Sequence, residues 1–127
     1  MSIQVLQTSN APAAIGPYVQ GKIAGGFLFA SGQIPLDPVS GAVVGTTIAA
    51  QAEQVMRNVC ALIEAAGAKV ENVVKSTCFL HDIADFAAFN EVYAKYFGAA
   101  APARSCVGGI DLPKGVLCEV EVVVCLG

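Results

Sequence analysis

Apolar positions recur along this chain with two periods, and the change from one to the other marks the elements. Ile3-Gln4-Val5-Leu6 predicts a short opening strand. Residues 18–24 and 27–31 read as two strands of a hairpin turning at Gly25-Gly26, after an ordered Ala/Pro-rich loop at 10–17. The period then lengthens. Ile48, Ala52, Val55, Met56, Val59, Leu62, Ile63 and Ala66 fall at spacings of three and four, on one face of a helix. Thr47 is its expected N-cap, and Gly67 suits the residue just past its end. Residues 73–80 are rich in β-branched side chains and predict a strand. A second helix is expected over 86–97, capped by Asp85, ended by Gly98, and packed through Phe86, Phe89, Tyr93, Tyr96 and Phe97. Strands at 103–107 and 116–125 complete the order β-β-β-α-β-α-β-β. The chain reads as a single α+β domain over residues 1–127, with one sheet packed against two helices.

Within this pattern one residue stands out. Arg104 lies in Pro102-Ala103-Arg104-Ser105-Cys106-Val107, a segment otherwise apolar or small. A buried guanidinium needs a partner, because an unpaired charge away from water is costly. Glu119 or Glu121 in the last strand could be that partner, as could the carboxylate of a ligand gripped by the planar fork of the guanidinium. The last strand alternates: Cys118, Val120, Val122 and Val124 share one face, and Glu119, Glu121, Val123 and Cys125 the other. The two acids are thus neighbours, about 7 Å apart. They are either solvent-facing or split between a catalytic and a structural role.

Composition narrows the partners. The chain is 55% hydrophobic and only 13% charged, against about 25% charged in ordinary soluble domains. That excess implies apolar surface buried between subunits. No apolar run approaches the ~20 residues of a membrane span. The first Lys or Arg is Lys22, so no basic leader is expected and the cytosol is the expected location. A net charge of −3 with seven scattered basic residues argues against nucleic acid. The five cysteines form no C-x-x-C pair and read as reduced thiols, mostly small apolar fillers. No His/Cys/Asp cluster has metal-ligand spacing. His81, the one histidine, reads as an exposed bystander, which leaves Cys106 without an evident base for nucleophilic chemistry.

Several segments taken in order resemble a known family. Asn10-Ala11-Pro12, Gly16-Pro17-Tyr18, Ser31-Gly32-Gln33-Ile34-Pro35, the 102–107 segment, Leu112-Pro113-Lys114 and Cys118-Glu119-Val120-Glu121 together resemble the YjgF/RidA family of reactive intermediate deaminases, over essentially the whole chain. The resemblance implies a chorismate-mutase-like trimer whose sheets form a central β-barrel, with sites in the clefts between subunits. It implies hydrolysis of 2-imino acids such as 2-iminobutanoate and 2-iminopropanoate, or their enamine tautomers, to 2-oxo acids and ammonia. That activity protects pyridoxal-phosphate enzymes and needs no metal or organic cofactor. On this resemblance Arg104 grips the substrate carboxylate and Glu119 orients a water or shuttles its proton. Tyr18, Ser31, Gly32, Asn90 and Cys106 line the pocket, Gly32 and Cys106 through backbone donors. An endoribonuclease or translation inhibitor, a label also attached to the family, and a non-enzymatic carboxylate binder or chaperone are the competing readings.

The chain departs from the family pattern at two places. The connection Gly98-Ala99-Ala100-Ala101 is short, and Ala101 stands where an aromatic residue is common, which implies a more open pocket rim. Gly108-Gly109-Ile110-Asp111 also differs from the common run.

Overall fold

The period-two segments form one six-stranded sheet in the computed structural model, which describes residues 2–127. The strands are β1 (Ile3–Leu6), β2 (Gly21–Ala24), β3 (Phe27–Ala30), β4 (Val73–Leu80), β5 (Ala103–Val107) and β6 (Cys118–Cys125); the helices are α1 (Ile48–Ala65) and α2 (Phe86–Phe97). The spatial order is β1-β2-β3-β6-β4-β5. Neighbours pair antiparallel except β4 and β5, which run parallel because α2 returns the chain between them. The element order is the one expected, with short 3₁₀ turns added at Val70–Asn72, Ile83–Asp85 and Pro113–Gly115.

Both helices cover one face of the sheet. Val55, Met56, Val59, Leu62 and Ile63 of α1, with Phe89 and Phe97 of α2, bury against Leu28, Cys78, Leu80, Cys118, Val120 and Val124. Among the described residues the opposite face carries no helix. Phe27, Phe29, Val5 and Val107 stand exposed on it, Phe29 at 50%, among Glu121, Lys75 and Lys22. Among the described residues no helix is long and apolar enough to cross a membrane.

Several boundaries differ from the sequence reading, each for a local reason. β2 starts at Gly21, not at residue 18: the Tyr18 N–H closes a tight turn onto the Gly16 carbonyl at 2.8 Å, and this leaves Tyr18 in the loop. β6 starts at Cys118, because the 3₁₀ turn before it is closed by the Val116 N–H on the Pro113 carbonyl. Thr47 caps α1 as expected, accepting from the Ala50 N–H at 3.2 Å, and Gly67 takes the left-handed φ of 76°. Asp85, however, makes no capping bond to α2; Asp82 accepts from the Ala84 N–H at 2.9 Å and starts the 3₁₀ turn that runs into the helix. Gly98 keeps right-handed helical backbone, and it is Ala101 that turns left-handed, at φ 43°.

Two polar residues of α1 that the periodicity set apart from its apolar face are buried. Asn58 donates to the carbonyls of Ile34 and Leu36 at 3.1 and 3.0 Å, and Gln51 donates to Gly45 O and accepts from Leu117 N. Buried amides of this kind must be satisfied. Here they are satisfied by loop backbone, and so they fix the segment after β3 onto the helix.

Candidate active site

Arg104 sits on β5, the edge strand, in register with Ser76 of β4. Paired residues share a face, and Ser76 is fully buried against α2 through a 2.6 Å hydrogen bond with the Tyr93 hydroxyl. Arg104 therefore points to the helix side. Phe86, Asn90 and Tyr93 reach it from α2 at spacings of four and three, one helical stripe. The guanidinium carbon lies 4.7 Å from the Tyr93 ring centre and 5.4 Å from that of Phe86, and Nη1 donates to Asn90 Oδ1 at 2.7 Å. Cation–π contacts contribute about 0.5–2 kcal/mol each, so the guanidinium is held over two rings and by one N–H while its other donors stay available.

Glu119 and Glu121 do not neutralise this cation. Among the described residues the one ion pair within 4.0 Å is Arg57 with Glu53, at 3.8 Å. Glu119 pairs with Phe79 and Glu121 with Thr77, on the sheet face turned away from the helices. Of the alternatives open for Arg104, the carboxylates of the last strand are thus excluded by the pleat: they project from the opposite side of the sheet.

Glu119 belongs to a second cluster. Gln33 exchanges both backbone hydrogen bonds with Val120, at 2.8 and 3.1 Å, which lays Ser31-Gly32-Gln33 beside β6. Gly32 then faces the Glu119 side chain so closely that a Cβ there would stand 2.9 Å from its Cδ. Burial, and then the charge of Glu121, push the Glu119 carboxyl above the ordinary carboxylate value. The Ser31 hydroxyl donates to the Val19 carbonyl at 2.6 Å and so anchors the loop that carries Tyr18. Gln20 pins the same loop, accepting from Thr8 N and donating to the carbonyls of Thr8, Ala11 and Pro12. Tyr18 is half exposed, and with Gly32 it lines one small cavity.

The expected site residues therefore fall into two groups. Arg104, Asn90 and Cys106 lie on the helix side at the sheet edge; Tyr18, Ser31, Gly32 and Glu119 gather around β6 and the loop before α1. One chain does not bring the groups together. Cys106 pairs with Cys78 on the helix side, and burial raises its thiol pKa, an effect the Arg104 charge only partly offsets. His81 turns Nδ1 to the Ile110 carbonyl at 3.0 Å, so it is a tether for the 108–111 turn as well as an exposed residue.

The sequence reading missed Phe86 and Tyr93 as parts of the site and assigned their whole stripe to the core. Phe86 is in fact 37% exposed. The signal was present in the spacing 86, 90, 93, which puts both rings on the side of Asn90.

Known proteins match the chain along nearly all of its length. The family model described as Endoribonuclease L-PSP matches residues 8–126. A Lactococcus lactis protein named as the regulator AldR is 53% identical, covering 95% of this chain and 96% of its own. A Salmonella typhimurium protein named 2-iminobutanoate/2-iminopropanoate deaminase is 50% identical, over 94% and 95%. The crystal structure of Escherichia coli TdcF with bound serine superposes with a TM-score of 0.92 at 41% identity, over 98% of this chain and 99% of that one.

Proposed function

We propose, from the premise that this chain belongs to the endoribonuclease L-PSP family, the YjgF/RidA proteins, that it hydrolyses reactive 2-imino acids to 2-oxo acids and ammonia. The observation that carries this reading is an arginine whose guanidinium lies over two rings and, among the described residues, has no carboxylate partner. It is a ready receptor for the carboxylate of a small metabolite.

Because Arg104 and Glu119 project from opposite faces of one sheet, a site that uses both is assembled between copies of the chain. The helix-free sheet face, with its exposed Phe27, Phe29 and Val5, supports burial between subunits. A homotrimer with three inter-subunit clefts around a central barrel is the assembly we infer, working in the cytosol. In each cleft Arg104, oriented by Asn90, fixes the carboxylate of the imine. Water adds to C2, its oxygen forming the new C–O bond while the C=N π pair moves to nitrogen. Glu119, whose pKa burial and then Glu121 raise above the ordinary carboxylate value, takes a proton from the attacking water and gives it to that nitrogen. The hydroxyl proton of the resulting carbinolamine then passes to the amine through the same carboxylate, the C–N bond breaks with its electron pair leaving on ammonia, and the C=O of the 2-oxo acid forms. Tyr18 and Gly32 line the Glu119 side of the cleft, and Ser31 holds the Tyr18 loop in place. β5 is an edge strand, so its outer backbone groups lack a strand partner, which suits the backbone role of Cys106.

The test generates 2-iminopropanoate in situ and traps it with semicarbazide. Wild type diverts the imine to pyruvate, whereas Arg104→Ala does not. Equal pyruvate with and without the protein rejects the assignment. The ribonuclease reading suggested by the family's name draws little support from a net charge of −3.

A further inference from the structure

A groove of about 310 Å3 opens beside Arg104, between the last turns of α2 and the start of β5. Its size falls at the small end of ligand pockets, which run roughly 300–1,000 Å3. Its wall is apolar. Phe97 and Pro102 contribute to it, and the Tyr93 hydroxyl is already engaged by Ser76. Asn90 and Arg104 supply its remaining polar side chains, and they are the pair that would hold a carboxylate. The groove exists because Ala94, Gly98 and Ala101 carry no side chain beyond Cβ. The short connection from α2 to β5 places Ala101, at a left-handed φ of 43°, where a bulky residue would narrow it.

Arg104 itself lines the groove, so a carboxylate bound to it sets the rest of a 2-imino acid beside this wall. The charged end matches the guanidinium, and the apolar lining matches a hydrocarbon side chain. A methyl group would leave most of that lining wet, whereas a larger group would displace the water at about 25 cal/mol per Å2 of apolar surface. We propose that the groove takes the substrate side chain, and that this protein prefers 2-imino acids with branched or aromatic apolar side chains over 2-iminopropanoate. The inference rests on the deaminase reading for its chemistry, but not for the binding preference itself.

The experiment uses the assembled protein with imines made in situ by an L-amino acid oxidase from alanine, leucine and phenylalanine. The expected result is a kcat/KM for the leucine- and phenylalanine-derived imines at least tenfold above that for the alanine-derived one. Ala94→Leu, on an exposed helical position where leucine is nearly as good a helix former as alanine, should cut that ratio at least tenfold. Single methylenes in apolar pockets change discrimination by about 10–200-fold. Equal values for all three imines, or a parallel loss on all three in Ala94→Leu, overturns the proposal; so does a change in oligomeric state in that variant with the ratio intact, which would mean a neighbouring copy fills the groove. Calorimetric binding of 4-methyl-2-oxopentanoate against pyruvate separates the two readings. Tenfold tighter binding of the former, lost in Ala94→Leu, upholds the groove even if no imine is turned over and the deaminase reading falls. Equal binding of the two overturns the groove even in an active deaminase.

Discussion

A Cβ on Gly32 would overlap Oε2 of Glu119 and stand 2.9 Å from its Cδ, so this carboxylate rests directly on bare backbone. The contact explains why a glycine follows Ser31 where no positive φ demands one. Gly32→Ala should displace the flexible end of the Glu119 side chain rather than the backbone. The expected outcome is a fall in kcat/KM of tenfold or more with little loss of stability, because what must move is the far end of a flexible side chain. Imine-trapping kinetics and thermal melts on the same preparation check both parts. Unchanged kinetics would mean that the position of Glu119 does not matter to turnover.

Arg104 and Asn90 permit a graded test. Arg104→Lys keeps the charge but loses the planar fork and the stacking on Phe86 and Tyr93. Hydrogen bonds to charged groups contribute about 1.5–3 kcal/mol, so kcat/KM should fall by roughly 10–150-fold. Asn90→Ala leaves the cation but removes its 2.7 Å orienting bond. It should raise the dissociation constant for pyruvate less than Arg104→Lys does. A larger effect from Asn90→Ala would assign the ligand to Asn90 rather than to Arg104.

How much of this was legible beforehand depends on whether a side chain's job is local. The helix 48–65, the strand 73–80 and the two faces of the last strand follow from periodicity, because Val55, Leu62, Val120 and Val124 need only know which side the core is on. Gln51 and Asn58 fall outside the apolar positions of that helix, and periodicity could not find them buried because their partners, the backbone of residues 34–45 and 117, are supplied by other segments. The same limit hid the role of Phe86 and Tyr93: an aromatic stripe reads as core until β5 is known to bring a cation against it. Period two had already put Glu119 opposite the buried face of its own strand. What it lacked was the register of Ser76 with Arg104, and only that pairing shows the two groups to be on different sides of the sheet.

Glu119 also predicts a pH dependence of stability. Its folded pKa is raised above the ordinary 4.5, first by burial and then by Glu121. The native state therefore binds the proton more tightly than the unfolded chain. The stability this confers is fully present below the unfolded value and is lost as pH rises through the folded one. Glu119→Gln carries no such charge. Its Tm should exceed that of wild type at neutral pH, and the difference should shrink as pH falls below the ordinary carboxylate range. A difference that stays constant with pH, or grows on acidification, contradicts the shift.

The thiols should divide by burial. Burial pushes Cys78 and Cys118 up to about 12 and Cys60 to about 11, so their reactive thiolate forms are scarce at neutral pH. Iodoacetamide at pH 7.5 should leave Cys78 and Cys118 unmodified in the native protein and label both in denaturant, as read by peptide mass spectrometry. Rapid native labelling of Cys78 would mean that the β4–α2 layer opens.

Tyr93 joins the core to the site, and two substitutions separate its contributions. The ring lies under Arg104, while the hydroxyl satisfies the buried Ser76. Tyr93→Phe keeps the ring but leaves the Ser76 hydroxyl unpaired, at a cost of about 1–3 kcal/mol for a buried polar group. Its melting temperature should drop while kcat/KM stays within a fewfold of wild type. Tyr93→Leu removes the π face as well as the hydroxyl. It should lose at least comparable stability and, in addition, several-fold in affinity for pyruvate, because the guanidinium loses the ring it lies over. If both variants bind pyruvate like wild type, Asn90 alone orients the arginine and the rings act only as packing.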